Sequence, residues 1–410
     1  MHALVVGPRP LGVFAALARI GATVDLVFDF ESDTLWNYGV DPVDEIRRSG
    51  VVLKNVHYRP YVSDPTSVMT IPGLLSYDGI YSCTEWGLLS AALAAQTAGL
   101  PSPSPSAVLA TRNKYLMRAM LAERGLPQPP YGLVGTDQPP DDAFPVMIKP
   151  VGGLGTQGVR RIDDAASFND LLRGAAAEDE LMWESHLEGA QYTVEGIDDG
   201  DGFRVIGVTG KILSGPPHYV ALEHQSPAVM LPGRRERVVE YAKQCLDALG
   251  ARFTASHTEI VWHRGEPAII EAHTRPAGEK VPTLATLTTG WDQYALAVSV
   301  GLRTGPRTER LPTTVTAART VHLTEDEGDP SVFDDPRWLA EFPQVVEHGL
   351  GTRFKRDPRW GYAILGGDDP VELVRVSRRL RARVRELSSA LCPVDENGRG
   401  FLAARTVRVD

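Results

Sequence analysis

Residues 258–278 read TEIVWHRGEPAIIEAHTRPAG. Two apolar, β-branched runs, Thr258–His263 and Pro267–Ala272, flank Arg264, Gly265 and Glu266. A short glycine-containing loop between such runs marks a β-hairpin. With a three-residue loop, Glu259 and Glu271 face each other across the ladder. Opposed Cβ atoms lie about 4.5–5.5 Å apart, where like charges repel. A two-residue turn would instead put the two acids on opposite faces. A cation between them relieves the repulsion, and carboxylate oxygens are ligands that Mg²⁺ takes alongside phosphates. Period-two alternation places His273 and Arg275 on the face of Glu271. The hairpin alone is equally compatible with two acids on a solvated face.

The 410 residues allow two or three domains with a large core. Apolar content of 43% and charged content of 23% describe an ordinary globular chain. A net charge of −10 argues against nucleic-acid and anionic-membrane partners, which select clustered positive charge. No apolar run approaches the roughly 20 residues of a membrane span. The start, MHALVVG, has no basic region before its apolar run, so no secretory signal is read there. Cys83, Cys245 and Cys392 match neither a zinc spacing nor a disulfide framework. Each is read as a small buried hydrophobe in a cytoplasmic protein.

Strand, helix and strand over Ala3–Val6, Leu11–Ile20 and Thr23–Phe28 form a βαβ unit of a doubly wound sheet. Gly7 and Gly12 do not make G-x-G-x-x-G, so a nicotinamide cofactor is disfavoured. Tyr77–Ser82 and Trp86–Ala98 continue the alternation, and the proline- and serine-rich Gly99–Ser106 reads as a connection. Thr111 is expected to cap a helix running to about Arg124, with Lys114 in its first turn. Lys114 is then either solvated or directed at an anion drawn to the helix N-terminus. VMIKP (146–150) followed by GGLGTQG (152–158) reads as a phosphate-covering hairpin: glycine backbone N–H groups form an anion nest, and Lys149 adds a point charge. Ser214–Pro227 is expected to be a loop holding His218, Glu223 and His224, whose spacing does not suit zinc. Arg234–Leu249 and Trp291–Gly301 read as helices. Glu325–Trp338 reads as an acidic surface loop, and Val371–Leu387 as an amphipathic helix whose arginines form a solvated face.

In this order the segments resemble the ATP-grasp superfamily, specifically its carboxylate–amine ligases and among them the L-amino acid ligases. The resemblance covers most of the chain. It implies an α/β and α+β architecture: an N-terminal doubly wound α/β domain (1–107), an ATP-grasp body (108–302) with a small lid at about 140–186, and a C-terminal α+β domain (303–410). It places Lys114 at the α-phosphate, and Lys149 beneath the lid, whose Gly153 and Gly155 approach the phosphates. In ESHLEGAQYTVE (184–195), Glu184 would accept from the adenine amino group, the Leu187 backbone would bond the ring, and Gln191 would meet the ribose where the family usually has glutamate. Glu259 and Glu271 would bridge Mg²⁺, or Mn²⁺ in its place. His273 stands at the asparagine that is usually a further metal ligand, and Arg275 at the arginine that steadies the transferring phosphoryl group. His224 is carried as a substrate contact. The activity implied is ATP-dependent amide formation through an acyl phosphate, with small-molecule carboxylate and amine substrates; a homodimer is compatible with it. A carboxylase of the biotin-carboxylase type and a non-catalytic nucleotide-binding protein are the alternatives.

Overall fold

Alternating short apolar runs and helices at the N-terminus build a four-stranded parallel sheet in the order β3-β2-β1-β4. Its elements are β1 (His2–Val6), α1 (Leu11–Arg19), β2 (Thr23–Phe28), α2 (Phe30–Trp36), α3 (Pro42–Arg48), β3 (Val52–Tyr58), β4 (Gly79–Tyr81) and α4 (Leu88–Thr97). The computed structural model describes residues 1–36, 42–153, 155–174, 180–302, 309–350 and 357–391. Cys392 therefore lies outside the described residues, whereas Cys83 and Cys245 are free and buried.

Two helices follow, α5 (Pro105–Arg112) and α6 (Lys114–Glu123). Thr111 does not cap the second. It belongs to α5, whose own cap is Ser104, and Asn113 caps α6 by accepting from Leu116 N at 2.7 Å. The small residues of 105–112 continue as helix, so the break falls two residues later than expected. The segment expected to form a lid folds as the antiparallel sheet β5-β8-β6-β7, made of β5 (Tyr131–Leu133), β6 (Val146–Pro150), β7 (Arg160–Ile162) and β8 (Leu181–Ser185), with α7 (Ala165–Gly174) packed through Phe168 against Ile148 and Trp183. It begins nearer residue 131 than 140.

The eight-stranded antiparallel sheet runs β13-β12-β9-β10-β11-β14-β16-β15. Its first five strands in sequence are β9 (Ala190–Asp198), β10 (Phe203–Leu213), β11 (Ala221–Ser226), β12 (Thr254–His263) and β13 (Glu266–His273). Helix α8 (Arg234–Leu249) covers one face, burying Val238, Ala242, Cys245 and Leu249 against Ile260 and Ile269. Helices α9 (Val281–Thr289) and α10 (Gln293–Gly301) follow, and α10 packs Val298 into the core of the N-terminal sheet. The remaining strands, β14 (Ala317–Thr324), β15 (Val345–Leu350) and β16 (Arg359–Gly367), extend the same sheet through β11–β14 pairing. Hydrogen bonding is thus continuous across the 302/303 boundary expected for a separate C-terminal domain. Helix α11 (Pro370–Leu391) covers β14 and β16.

Three expectations for this half change. Residues 221–226 are strand rather than loop, because both backbone edges are paired, to β10 and β14. The acidic segment 325–338 folds into short 3₁₀ turns that bury Val332, Trp338 and the Glu327 carboxylate. The α11 arginines are not all solvated. Arg381 is buried, ion-paired with Glu327, and donates through Nε to Glu223 at 3.1 Å, while Arg319 Nε donates to the other Glu223 oxygen at 2.5 Å. Removing one member of such a buried network strands its partners. Arg381→Ala is therefore expected to destabilise the protein by about 3–5 kcal/mol, read by calorimetry as a lowered Tm. An unchanged Tm would contradict this account of the cluster.

Candidate active site

The hairpin turn has two residues, not three. Arg264 and Gly265 both adopt positive φ (49° and 88°), and His263 pairs with Glu266. That turn matches strand twist, but alone it would put the two acids on opposite faces. A bulge restores them: Glu259 pairs with Glu271 and Ile260 with Ile269, leaving Ile270 as the extra residue. Arg118, fully buried on α6, donates to the carbonyls of Ile269 (2.8 Å) and Ile270 (3.2 Å) at the bulge.

Glu259 and Glu271 therefore share one face, each beside a lysine. Lys211 Nζ on β10 donates to both Glu259 oxygens (2.7 and 2.8 Å). Lys114 Nζ reaches Glu271 Oε2 at 3.2 Å and donates to the Gly153 carbonyl of the lid loop at 2.6 Å. Burial pushes both carboxyls up and each acid repels the other. For Glu259 the Lys211 charge and the His257 hydrogen bond outweigh this. For Glu271 the charges of Lys114 and His273 do so, and both acids stay ionised.

Two histidines stack beside the acids, rings 5.8 Å apart and 18° from parallel. His257 lies between Glu195 (Nδ1–Oε1, 2.8 Å) and Glu259 (Nε2–Oε1, 3.4 Å). His273 lies between Glu85 (Nδ1–Oε2, 3.2 Å) and Glu271 (Nε2–Oε1, 3.4 Å). Gln293, at the start of α10, donates to the second Glu195 oxygen at 3.1 Å. Burial lowers both imidazoles. Glu195 and Glu259 nevertheless raise His257 to about 10, and Glu85 and Glu271 raise His273.

His273 lies between the Glu85 and Glu271 carboxylates, placed to donate from both ring nitrogens, and a ring that does so has no lone pair to offer a metal ion. Among the described residues no group of three or more His, Cys, Asp or Glu is arranged to hold a metal ion. The two ionised glutamates do fit Mg²⁺, which uses one or two carboxylates and completes its shell with phosphate and water oxygens.

The His257 shift carries a sign. Its folded-state pKa lies above the ordinary 6.5, so its contribution to stability is complete below about pH 6.5 and is lost as pH rises through about 10. The Tm is expected to fall across this interval and to fall less steeply in His257→Asn. Parallel Tm–pH curves for the two proteins would refute it.

The residues expected to meet the nucleotide sit around the four-stranded antiparallel sheet. Glu184 on β8 is buried; Lys149 Nζ donates to its Oε1 (2.5 Å) and Arg118 Nη2 to its Oε2 (3.0 Å). Burial drives Lys149 downward, against the raising charge of Glu184. Leu187 follows β8, and Gln191 on β9 pairs with Lys211 and Val261. Gly155 has a positive φ of 59° in the lid loop, where residue 154 is outside the described residues. Arg275, just beyond β13, donates through Nε to Glu85 at 2.5 Å and through Nη1 to the Pro276 carbonyl at 2.9 Å.

The three residues of the 214–227 segment separate. His224 shares the face of Lys211, its register partner. Its Nε2 lies 3.5 Å from Glu279 Oε2 and its Nδ1 has no partner among the described residues; burial depresses it to about 4. Glu223 points to the other face, beneath α11, and His218 is exposed on a turn. Sequence reasoning missed Lys211, Glu195, His257, Arg118 and Glu85. A signal existed for two of them: Arg118 follows Lys114 at i+4, and His257 precedes Glu259 at the same-face spacing of two.

No protein-family model matches the chain. Over 287 residues it is 26% identical to the uncharacterized protein y4rH of Sinorhizobium fredii (strain NBRC 101917 / NGR234), covering 67% of this chain and 59% of that protein. Over 205 residues it is 27% identical to dapdiamide A synthase of Enterobacter agglomerans, covering 45% of this chain and 47% of that one. The chain thus spans about half the length of the curated relatives it matches. Among solved structures it superposes on an L-amino acid ligase from Bacillus licheniformis with a TM-score of 0.73 at 18% identity, covering 93% of this chain and 97% of that one. The chain has the ATP-grasp fold. The same fold carries the biotin carboxylase domain of the Hydrogenobacter thermophilus 2-oxoglutarate carboxylase, solved with MgADP and bicarbonate (TM-score 0.62, 14% identity, 92% and 89% coverage). No helix among the described residues is long and apolar enough to cross a membrane.

Proposed function

We propose that this protein is an ATP-dependent ligase that joins the carboxylate of an amino acid to an amine, or to a second amino acid, releasing ADP and phosphate. The observation that carries this reading is the ionised pair Glu259 and Glu271, opposed across the bulged hairpin and flanked by Lys211 and Lys114. The L-amino acid ligase and the dapdiamide synthase among its likenesses support it.

A bare carboxylate cannot expel oxide, so it must first acquire a better leaving group. One carboxylate oxygen takes the γ-phosphoryl group of ATP, the bond from phosphorus to the bridging oxygen breaks, and ADP leaves. The amine nitrogen then attacks the acyl carbon, phosphate departs with the bonding pair, and the nitrogen loses a proton. Phosphoryl transfer is catalysed mainly by positioning and charge neutralisation. Mg²⁺ held by Glu259 and Glu271 would supply positive charge at the phosphate oxygens. Lys114 and Lys149 would add charge from the base of the lid, and Arg275 would steady the transferring group. Glu184 and the Leu187 backbone would meet the adenine, Gln191 the ribose, and Gly153 and Gly155 would let the lid backbone approach phosphate. Closure of the lid would exclude water from an acyl phosphate that otherwise hydrolyses. His224, neutral and with no partner for its Nδ1 among the described residues, would accept a hydrogen bond from substrate.

The deciding experiment incubates the protein with ATP, Mg²⁺ and pairs drawn from an amino-acid panel, measuring phosphate release and product mass. ADP with an amide supports the reading. AMP with pyrophosphate, or ADP formation that requires bicarbonate and gives no amide, overturns it.

A further inference from the structure

The N-terminal domain contributes a carboxylate to this site. Glu85 sits between β4 and α4, 7% exposed. Its Oε2 accepts from Arg275 Nε at 2.5 Å and lies 3.2 Å from His273 Nδ1, and its Oε1 is 4.0 Å from Arg112 Nε at the end of α5. Arg112 is itself held over the Trp86 ring at 5.4 Å. Cationic side chains from two elements of the ATP-grasp body thus converge on one carboxylate from another domain.

We propose that Glu85 is a positioning residue for phosphoryl transfer, acting across the domain seam by fixing the guanidinium of Arg275. A negative charge beside a transferring phosphoryl group is electrostatically unfavourable, so its contribution there must be geometric. Glu85 holds the Nε edge of the guanidinium and the Pro276 carbonyl holds Nη1. A guanidinium has five N–H donors in a rigid fork, so two anchored nitrogens set the direction in which the remaining donors point. Ordering the side chain in advance removes that cost from the chemical step. Glu85 also holds His273, whose other nitrogen faces Glu271. One carboxylate therefore steadies both the arginine and the inner side of the glutamate pair. The alternative is a contact that only latches the domains together.

The inference rests on the ligase reading, and the two fail separately. Full-length protein is assayed for ADP with Mg²⁺ and a substrate pair that the panel shows to react. Wild-type protein that makes no ADP with any pair overturns the ligase reading, and the proposal with it. Given wild-type turnover, Glu85→Gln is expected to lower kcat about a hundredfold, the scale of a catalytic group misplaced by about 1 Å, while KM for ATP moves by less than about threefold. In an Arg275→Ala background the same change is expected to cost less than about threefold further, because the group it positions is gone. A kcat within threefold of wild type in Glu85→Gln overturns the proposal, as does a full hundredfold loss in both backgrounds. If Glu85→Gln does not fold, the double variant E85Q/H273N, which removes both partners of the Glu85–His273 contact, is compared with H273N alone. A hundredfold ratio in kcat between those two supports the positioning role, and a ratio near one overturns it.

Discussion

Replacing Glu271 with glutamine is expected to abolish ADP formation while leaving the fold intact. Glutamine keeps the size and one carbonyl oxygen but removes the charge. Glu271 is partly exposed at the site face, so the amide can be solvated and no buried cavity forms. The loss falls on chemistry: Lys114 loses the carboxylate 3.2 Å away, and the acid pair of the hairpin loses one of its two charges. Removing a group aimed at charge that develops in the transition state costs about 10²–10³-fold in kcat, and losing a metal-binding carboxylate should reach at least that. The measurement is coupled ADP release alongside a melting curve. Near-normal turnover with an unchanged Tm would remove Glu271 from the mechanism, and with it the magnesium assignment.

Arg275→Ala is the second large effect. Its guanidinium is anchored at Glu85 and Pro276, so its charge sits at a fixed place. Burial lowers the guanidinium pKa, but Glu85 outweighs burial and keeps it charged. An arginine that stabilises phosphoryl transfer contributes about 10³–10⁵-fold in kcat. The loss is expected in kcat, with KM for ATP changed by less than about threefold, because the interaction belongs to the transition state. If nucleotide affinity fell and kcat did not, Arg275 would be a binding residue and not one that acts during transfer.

Much of this fold was legible because its signals are local. Helices 11–19 and 234–249 and strand 23–28 follow from period and breakers within single short windows. Glu259 and Glu271 stood out because like charges rarely face each other in a hairpin without a reason. Their pairing was foreseen with the wrong turn: the two-residue turn and the bulge at Ile270 are separate one-residue changes whose effects on register cancel. A bulge has no sequence signature as strong as Arg264-Gly265 has for a turn, so only the folded ladder reveals it.

The chain by itself determined which residues are charged and where most of the helices and strands form, since backbone propensity and side-chain period act within a dozen residues. Tertiary structure decided which charges meet. Glu85 and Arg275 are 190 residues apart, and Lys211 and Glu259 are 48 apart. Pairing of β11 with β14 turned an expected loop into strand, sent Glu223 beneath α11 and left His224 on the site face. The two carboxylates that flank His273, Glu85 from far upstream and Glu271 from its own strand, meet it only in the folded chain. Electrostatic energy depends on distance and burial, and neither is fixed until distant strands are in register.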